Sequence, residues 1–302
     1  MTRLEVRDLP RLAKRHADAH KGDFGHVFII AGSRGMVGAG CLAAMGALRS
    51  GAGLVTYGCP ESLYPIFAAK LTEAMGLPLP ETARGSLARS ALEPALKFAE
   101  ACTVVAVGPG LGQEEETAEL VRALAARLDH VLIIDADGLN AFAGRAQEFA
   151  ERKGPTLVTP HPGEMGKLVG LTAAEVQADR EKVAAEFAAR FGAFAVLLKG
   201  AGTVVTDGER LYVNATGNPG MATGGSGDVL TGVAAGLVAQ RLDHFAAGAL
   251  GACLHGLAGD LAARRLGQVS MLAGDIVESL PAAFENYRTS VALPPKRSAA
   301  RT

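Results

Sequence analysis

The chain has no tryptophan and only 5% aromatic residues. That leaves few flat side chains for stacking on bases and speaks against single-stranded nucleic acid as a partner. No charge of one sign dominates. Thirty Lys and Arg stand against 31 Asp and Glu, for a formal net charge of −1, which provides no electrostatic footprint for nucleic acid or an anionic membrane surface. Cysteine is scarce: Cys41, Cys59, Cys102 and Cys253 are far apart, with no Cys-x-x-Cys pair and no histidine at metal spacing. Buried free thiols in a reducing, cytoplasmic setting are therefore expected, rather than a disulfide framework or a zinc site. Long apolar runs are missing as well. The N-terminal MTRLEVRDLPRLAKRHADAHKGD lacks the apolar core of a signal peptide. The apolar stretches around 229–259 are broken by Gly, Gln, Arg, Asp and His, so no membrane span is expected.

What the chain does have is 302 residues, 49% of them hydrophobic and 20% charged, which suits a globular protein with a sizeable core. One pattern recurs: a short apolar run, a glycine-rich turn, then a helical segment. HVFIIAG (26–32) leads into SRGMVGAG and a helix, TVVAVG (103–108) into PGLGQ and a helix bearing Leu120, Val121, Leu124 and Leu128 on one face, VLIID (131–135) into ADGLNAF, and TLVTP (156–160) into HPGEMGKLVG. Runs apolar on both faces predict parallel strands covered by helices. Thr172 and Glu175 form a capping box for a helix that Gly192 should stop. AFAVLLKG (193–200) and TVVTDGERLYVN (203–214) follow, and Asp207-Gly208 marks a hairpin, so antiparallel strands should close one end of the sheet. Helices are predicted over 229–242 and 245–264. The stretch 77–94 reads as a polar, Pro-rich connection without a domain boundary. A single α/β domain over 1–287 is expected, with 288–302 a tail without order.

The densest signal is NPGMATGGSGDVLTG, 218–232. Gly224, Gly225 and Gly227 can adopt backbone conformations closed to other residues, and they come just before a helix, whose free N–H groups and dipole favour a phosphate. The sequence is not a Walker loop, since no Gly-Lys-Ser/Thr follows. An Asp at that place can serve as an N-cap, or as a base that takes a proton from a hydroxyl while it attacks a phosphoryl group. A helix N-terminus should lower the pKa of Asp228, and a bound polyphosphate should push it back up. GSRGMVGAG (32–40) follows a strand, but its spacing, G-x-x-G-x-x-G-x-G, is not the dinucleotide fingerprint G-x-G-x-x-G. Lys199 of KGAGT closes a strand beside two glycines, as a phosphate contact or as a surface lysine before a turn. His161 and Glu164 of TPHPGEM lie where open α/β sheets bind ligands. Asp135, Asp137 and Asn140 stand at another strand end, able to bind metal, orient a substrate or cap the next helix.

Taken together and in order, GSRGMVGAG, GPGLG, DADGLN, TPHPGEM, KGAGT and NPGMATGGSGDVLTG resemble the ADP-dependent NAD(P)H-hydrate dehydratases of the ribokinase-like superfamily, over roughly residues 20–285. The resemblance implies a three-layer α/β/α fold with a mostly parallel sheet. It implies repair of hydrated NADH and NADPH at the expense of ADP, or ATP, with Mg2+. Phosphate placed on the hydrate's hydroxyl becomes a good leaving group, giving NAD(P)H, phosphate and AMP. Asp228 would be the base, and Gly225, Ser226 and Gly227 would hold the transferring phosphate. Ala39, Gly110, His161 and Asp228 would hold the hydrated dinucleotide. Lys199, Gly200, Ala201, Gly202, Thr203 and Gly227 would hold the adenine nucleotide, and Glu164 would organise magnesium through water. A homotetramer is implied, and a separate epimerase for the other hydrate epimer. The rival is a kinase of the same superfamily acting on a vitamin-like alcohol. A nucleotide sensor on the same fold is less well supported, because it would not need Asp228.

Overall fold

The computed structural model describes residues 1–290. Ten strands form one sheet: β1 (Thr2–Leu4), β2 (His26–Ile30), β3 (Leu54–Pro60), β4 (Met75–Leu79), β5 (Val104–Val107), β6 (Val131–Ile134), β7 (Thr156–Val158), β8 (Phe194–Leu198), β9 (Val204–Thr206) and β10 (Arg210–Val213). Between and after them run α1 (Val37–Arg49), α2 (Tyr64–Lys70), α3 (Leu92–Ala99), α4 (Glu115–Arg127), α5 (Asp137–Asn140), α6 (Pro162–Val169), α7 (Ala173–Ala178), α8 (Arg180–Arg190), α9 (Ser226–Ala239), α10 (His244–Leu266) and α11 (Ala273–Ser290). The strand order is β1-β10-β9-β8-β7-β6-β5-β2-β3-β4. Only β9 runs antiparallel to its neighbours, through the expected turn at Asp207-Gly208.

Strand alternation divides the core between two faces. Val27, Ile29, Val104, Ala106, Ile133, Leu157 and Ala195 meet α1, α9, α10 and α11 on one side. Phe28, Ile30, Val105, Val107, Leu132, Ile134 and Phe194 meet α3, α4, α6 and α8 on the other. Helix α9 lies directly on α1, and small residues allow it: a Cβ on Gly232 would sit 2.0 Å from the Ala43 carbonyl oxygen. That close approach fixes where the N-terminus of α9 ends up.

Several elements differ from the sequence reading. The stretch 77–94 contributes the end of β4 and the start of α3. Pro78 is tolerated because β4 is an edge strand, where a missing N–H costs little. The helix expected from Thr172 to Gly192 is broken at Asp179 (φ −143°, ψ 61°) into α7 and α8. The break sets Arg180 at the start of α8, where its guanidinium donates to the carbonyls of Leu198 and Ala201. Helix α9 begins at Ser226, three residues before the expected start. Helix α10 is, against expectation, long and apolar enough to cross a bilayer, yet 78% of that apolar stretch is buried inside the fold, against α9 and α11. The last helix runs to Ser290, and 291–302, most of the expected tail, lie outside the described residues.

Candidate active site

The carboxyl ends of five neighbouring strands meet the N-terminus of α9. Strand β2 leads to the Gly32–Gly40 turn, β5 to Gly108–Gly110, β6 to Asp135, β7 to His161 and β8 to Lys199. Parallel order places all these turns on one edge of the sheet, where α/β proteins bind ligands.

Gly225 precedes α9 in a left-handed conformation (φ 90°), and a Cβ there would lie 2.4 Å from Leu42 Cδ1. Of the three glycines expected to need unusual backbone angles, it alone has a positive φ. Gly227 is helical and lines the cavity, and a Cβ on it would lie in ordinary contact distance, 3.4 Å, of the Lys199 ammonium. Asp228 is therefore the third residue of the helix, not a cap before it. Its carboxyl is pushed up to about 7 by burial first and then by the charge of Asp135, against the pull of Lys199, with Asp137 and Glu164 adding to the rise. This reverses the expectation that the helix N-terminus lowers it. Burial and neighbouring acids outweigh the dipole, so the carboxyl is poised near neutrality before any phosphate arrives.

Lys199 is held as firmly as Asp228 is poised. Its ammonium lies 2.6 Å from Asp135 Oδ1 and 3.7 Å from Glu164 Oε2. The second oxygen of Asp135 accepts from Thr231 Oγ1 at 2.7 Å, and Asp135 is 1% exposed. Burial alone would lower the Lys199 pKa, but Asp135 and Glu164 outweigh it and leave the lysine raised, hence charged. His161 caps α6: Nδ1 accepts from the amides of Gly163 and Glu164, while Glu164 accepts from the amide of His161 at 2.8 Å. Because Nδ1 accepts, the ring proton sits on Nε2, which lies 3.3 Å from Glu164 Oε1. Glu164 is thus a helix-capping acid that also faces Lys199.

A cavity of about 1050 Å³ opens here. Lys199, Gly200, Ala201, Gly202 and Thr203 line it, as do His161 and Gly227. Ala39, Gly110 and Asp228 are not on its lining, although Ser226, Gly227 and Leu230 beside Asp228 are. Ala39 and Gly110 meet each other, where a Cβ on Gly110 would lie 2.9 Å from that of Ala39. Asp137 accepts from the Gly112 amide (2.9 Å), from Gln113 Nε2 (3.3 Å) and from Asn140 Nδ2 (3.2 Å), so it ties turns together and acts on Asp228 through its charge. Among the described residues, no group of three or more His, Cys, Asp or Glu is placed to hold a metal.

Three participants were not singled out from sequence. Thr231 is one turn beyond Asp228 on the same helix. Asn214 donates to the Thr216 and Ala252 carbonyls and so folds the cavity wall onto α10. His255 lines the cavity, 7% exposed, with Nε2 3.5 Å from Ser226 Oγ, and burial first pushes its pKa down to about 4. A histidine in the small-residue run of 244–266 was the available signal.

A family model described as NAD(P)H-hydrate dehydratase matches residues 27–282. The bifunctional NAD(P)H-hydrate repair enzyme Nnr of Moorella thermoacetica is 48% identical over 283 residues, 93% of this chain and 53% of that protein. The chain spans about half the length of the curated relatives it matches. A solved ADP/ATP-dependent NAD(P)H-hydrate dehydratase from Bacillus subtilis, co-crystallized with ATP/Mg2+, is similar at TM-score 0.81 and 32% identity, covering 93% of this chain and 96% of that one. Ribokinase from Thermotoga maritima, at 15% identity and TM-score 0.54, shares the fold.

Proposed function

The chain belongs to the NAD(P)H-hydrate dehydratase family, and we propose that it dehydrates the S-epimer of hydrated NADH and NADPH, spending ADP or ATP. With ADP the products are NAD(P)H, AMP and phosphate. The observation that carries the reading is a half-buried carboxyl poised near pH 7, Asp228, near a fixed ammonium and a nucleotide-sized cavity. Asp228 takes the proton of the hydrate's hydroxyl as that oxygen attacks the terminal phosphorus of the nucleotide. The O–P bond to the nucleotide breaks and AMP departs. Lys199 and the amides of the first turn of α9 receive the charge that develops on the phosphoryl oxygens. The ring nitrogen of the phosphorylated hydrate then expels phosphate, and loss of a ring proton restores the nicotinamide. Ala39, Gly110 and His161 hold the dinucleotide, and Lys199–Thr203 with Gly227 hold the nucleotide.

The residues present fit a magnesium ion that travels with the nucleotide and keeps its waters, rather than a cage built by the protein. Glu164, already engaged by the His161 amide, suits contact through water. The ion would neutralise charge on the nucleotide's phosphates. Preference for ADP, a homotetramer, a cytoplasmic setting and a separate epimerase belong to the same proposal. The kinase rival predicts phosphate retained on an alcohol product. Incubation with heat-aged NADH and ADP or ATP distinguishes the two: return of the reduced-nicotinamide absorbance supports repair, and phosphorylation of a free alcohol without that return supports the kinase.

A further inference from the structure

The loop after β8 is built as an anion-binding concavity, and its shape is imposed from behind. Three of its carbonyl oxygens are claimed by side chains outside the cavity or within the loop. Leu198 O accepts from Arg180 Nη2 at 2.7 Å, Ala201 O from Arg180 Nη1 at 2.6 Å, and Gly200 O from Thr203 Oγ1 at 2.9 Å. The amide of Lys199 is used by Pro160 O at 2.8 Å, but those of Gly200, Ala201 and Gly202 meet no acceptor among the described residues, and all three residues line the cavity. Successive amides freed in this way form a cradle for an anion. Gly200 sits at φ +145°, a conformation that favours glycine, and it packs against the arginine, since a Cβ on it would lie 2.9 Å from Arg180 Nη2. The chain accepts two costs to keep that arginine there. Helix α7 breaks from α8 at Asp179 to aim it, and its buried Nε has no partner.

We propose that Arg180 is a positioning residue for the nucleotide: its guanidinium bridges the carbonyls of Leu198 and Ala201 and thereby presents the amides of Gly200, Ala201 and Gly202 to a phosphate. The guanidinium also sets a positive charge under that phosphate. Lysine keeps the charge but cannot bridge both carbonyls in the guanidinium's fixed fork. The inference rests on the nucleotide reading of this cavity.

The test measures ADP and ATP binding by titration calorimetry, and steady-state kinetics with hydrated NADH, for the wild type, Arg180→Lys and Arg180→Gln. Two charge-assisted hydrogen bonds to the loop are at stake, so Arg180→Gln should weaken nucleotide binding roughly 10- to 100-fold. At saturating nucleotide its kcat, and its KM for the hydrate, should stay within about threefold of the wild type, and Arg180→Lys should fall between the two. Unchanged nucleotide affinity in Arg180→Gln overturns the inference while leaving the proposed function standing. So does an equal loss in kcat and in both KM values, which marks a structural role only. If the wild type binds neither ADP nor ATP, the nucleotide reading fails, and this inference with it. If Arg180→Gln does not fold, Arg180→Lys carries the test, with a selective rise in nucleotide KM as the supporting result and an unchanged KM as the opposing one.

Discussion

Replacing Asp228 by Asn should abolish activity and, at alkaline pH, make the protein more stable. Removal of a general base typically costs about 10²–10⁴ in rate. The stability effect follows from the carboxyl's pKa, raised from 3.8 to about 7. A carboxyl whose folded pKa lies above its unfolded one takes up a proton on folding between the two values. Its contribution to stability is therefore most favourable below about 4 and is lost as pH rises toward about 7. At about 1.4 kcal/mol per unit the full shift is worth about 4 kcal/mol. Asp228 is partly exposed, so solvent screening reduces this to about 2 kcal/mol. Asparagine keeps the shape without the charge, so Asp228→Asn should gain about 2 kcal/mol at pH 8, or about 4–6 °C in Tm for a domain of this size. At pH 5 the gain should be under about 1 kcal/mol, because the wild-type carboxyl is then mostly protonated. Calorimetric melts at the two pH values measure this, alongside a wild-type kcat/KM that falls about tenfold per unit below about pH 7. A variant less stable than the wild type at pH 8, or a difference that does not change with pH, would refute the account of why this carboxyl is poised.

Other substitutions isolate separate parts of the site. Lys199→Met leaves Asp135, 1% exposed, with only Thr231 as a partner. Urea denaturation should show a loss of about 3–5 kcal/mol, and nucleotide binding should weaken with it. Gly225→Ala forces a Cβ to within 2.4 Å of Leu42 Cδ1 at φ 90°; a loss of about 1–3 kcal/mol is expected. Leu42→Ala in the same chain should recover only part of that loss, since the backbone strain remains. Gly227→Ala places a Cβ 3.4 Å from the Lys199 ammonium in a helical residue. Thermal stability should hold or rise slightly, while the nucleotide KM rises several-fold.

Strands β2, β5, β6, β7 and β8 were legible because burial on both faces writes continuous apolar runs, and the β9–β10 hairpin because Asp207-Gly208 is a turn with a mechanism. Elements held by tertiary pairing alone were not legible. Strand β1 is three residues long and forms against β10, and β4 contains a proline that only its edge position permits. The break between α7 and α8 contradicts a good local helix signal, the capping box at Thr172, because Arg180 has its partners 18 and 21 residues away in the chain. Within the site, residue types in turns were readable and their electrostatics were not. Asp228 stood out by its glycine neighbours. That its pKa rises depends on burial in the folded chain and on Asp135, 93 positions earlier, neither of which a local window contains.

A single chain of contacts explains why fold and chemistry are hard to separate here. Thr231 on α9 donates to Asp135 at the end of β6, and Asp135 holds Lys199 at the end of β8. The helix that carries Asp228 is thereby tied to the strands that carry its neighbouring charges, while its far side is locked to α1 by a contact that admits no side chain at Gly232. A sub-ångström slide of α9 would change the Thr231–Asp135 bond and the distance from Asp228 to Asp135 and Lys199 together. The packed interface against α1 resists such a slide because interiors at crystal-like density do not deform continuously. The small residues of α9 therefore bear on the proposed chemistry: they fix the helix where burial and Asp135 raise the Asp228 carboxyl toward neutrality against the pull of Lys199.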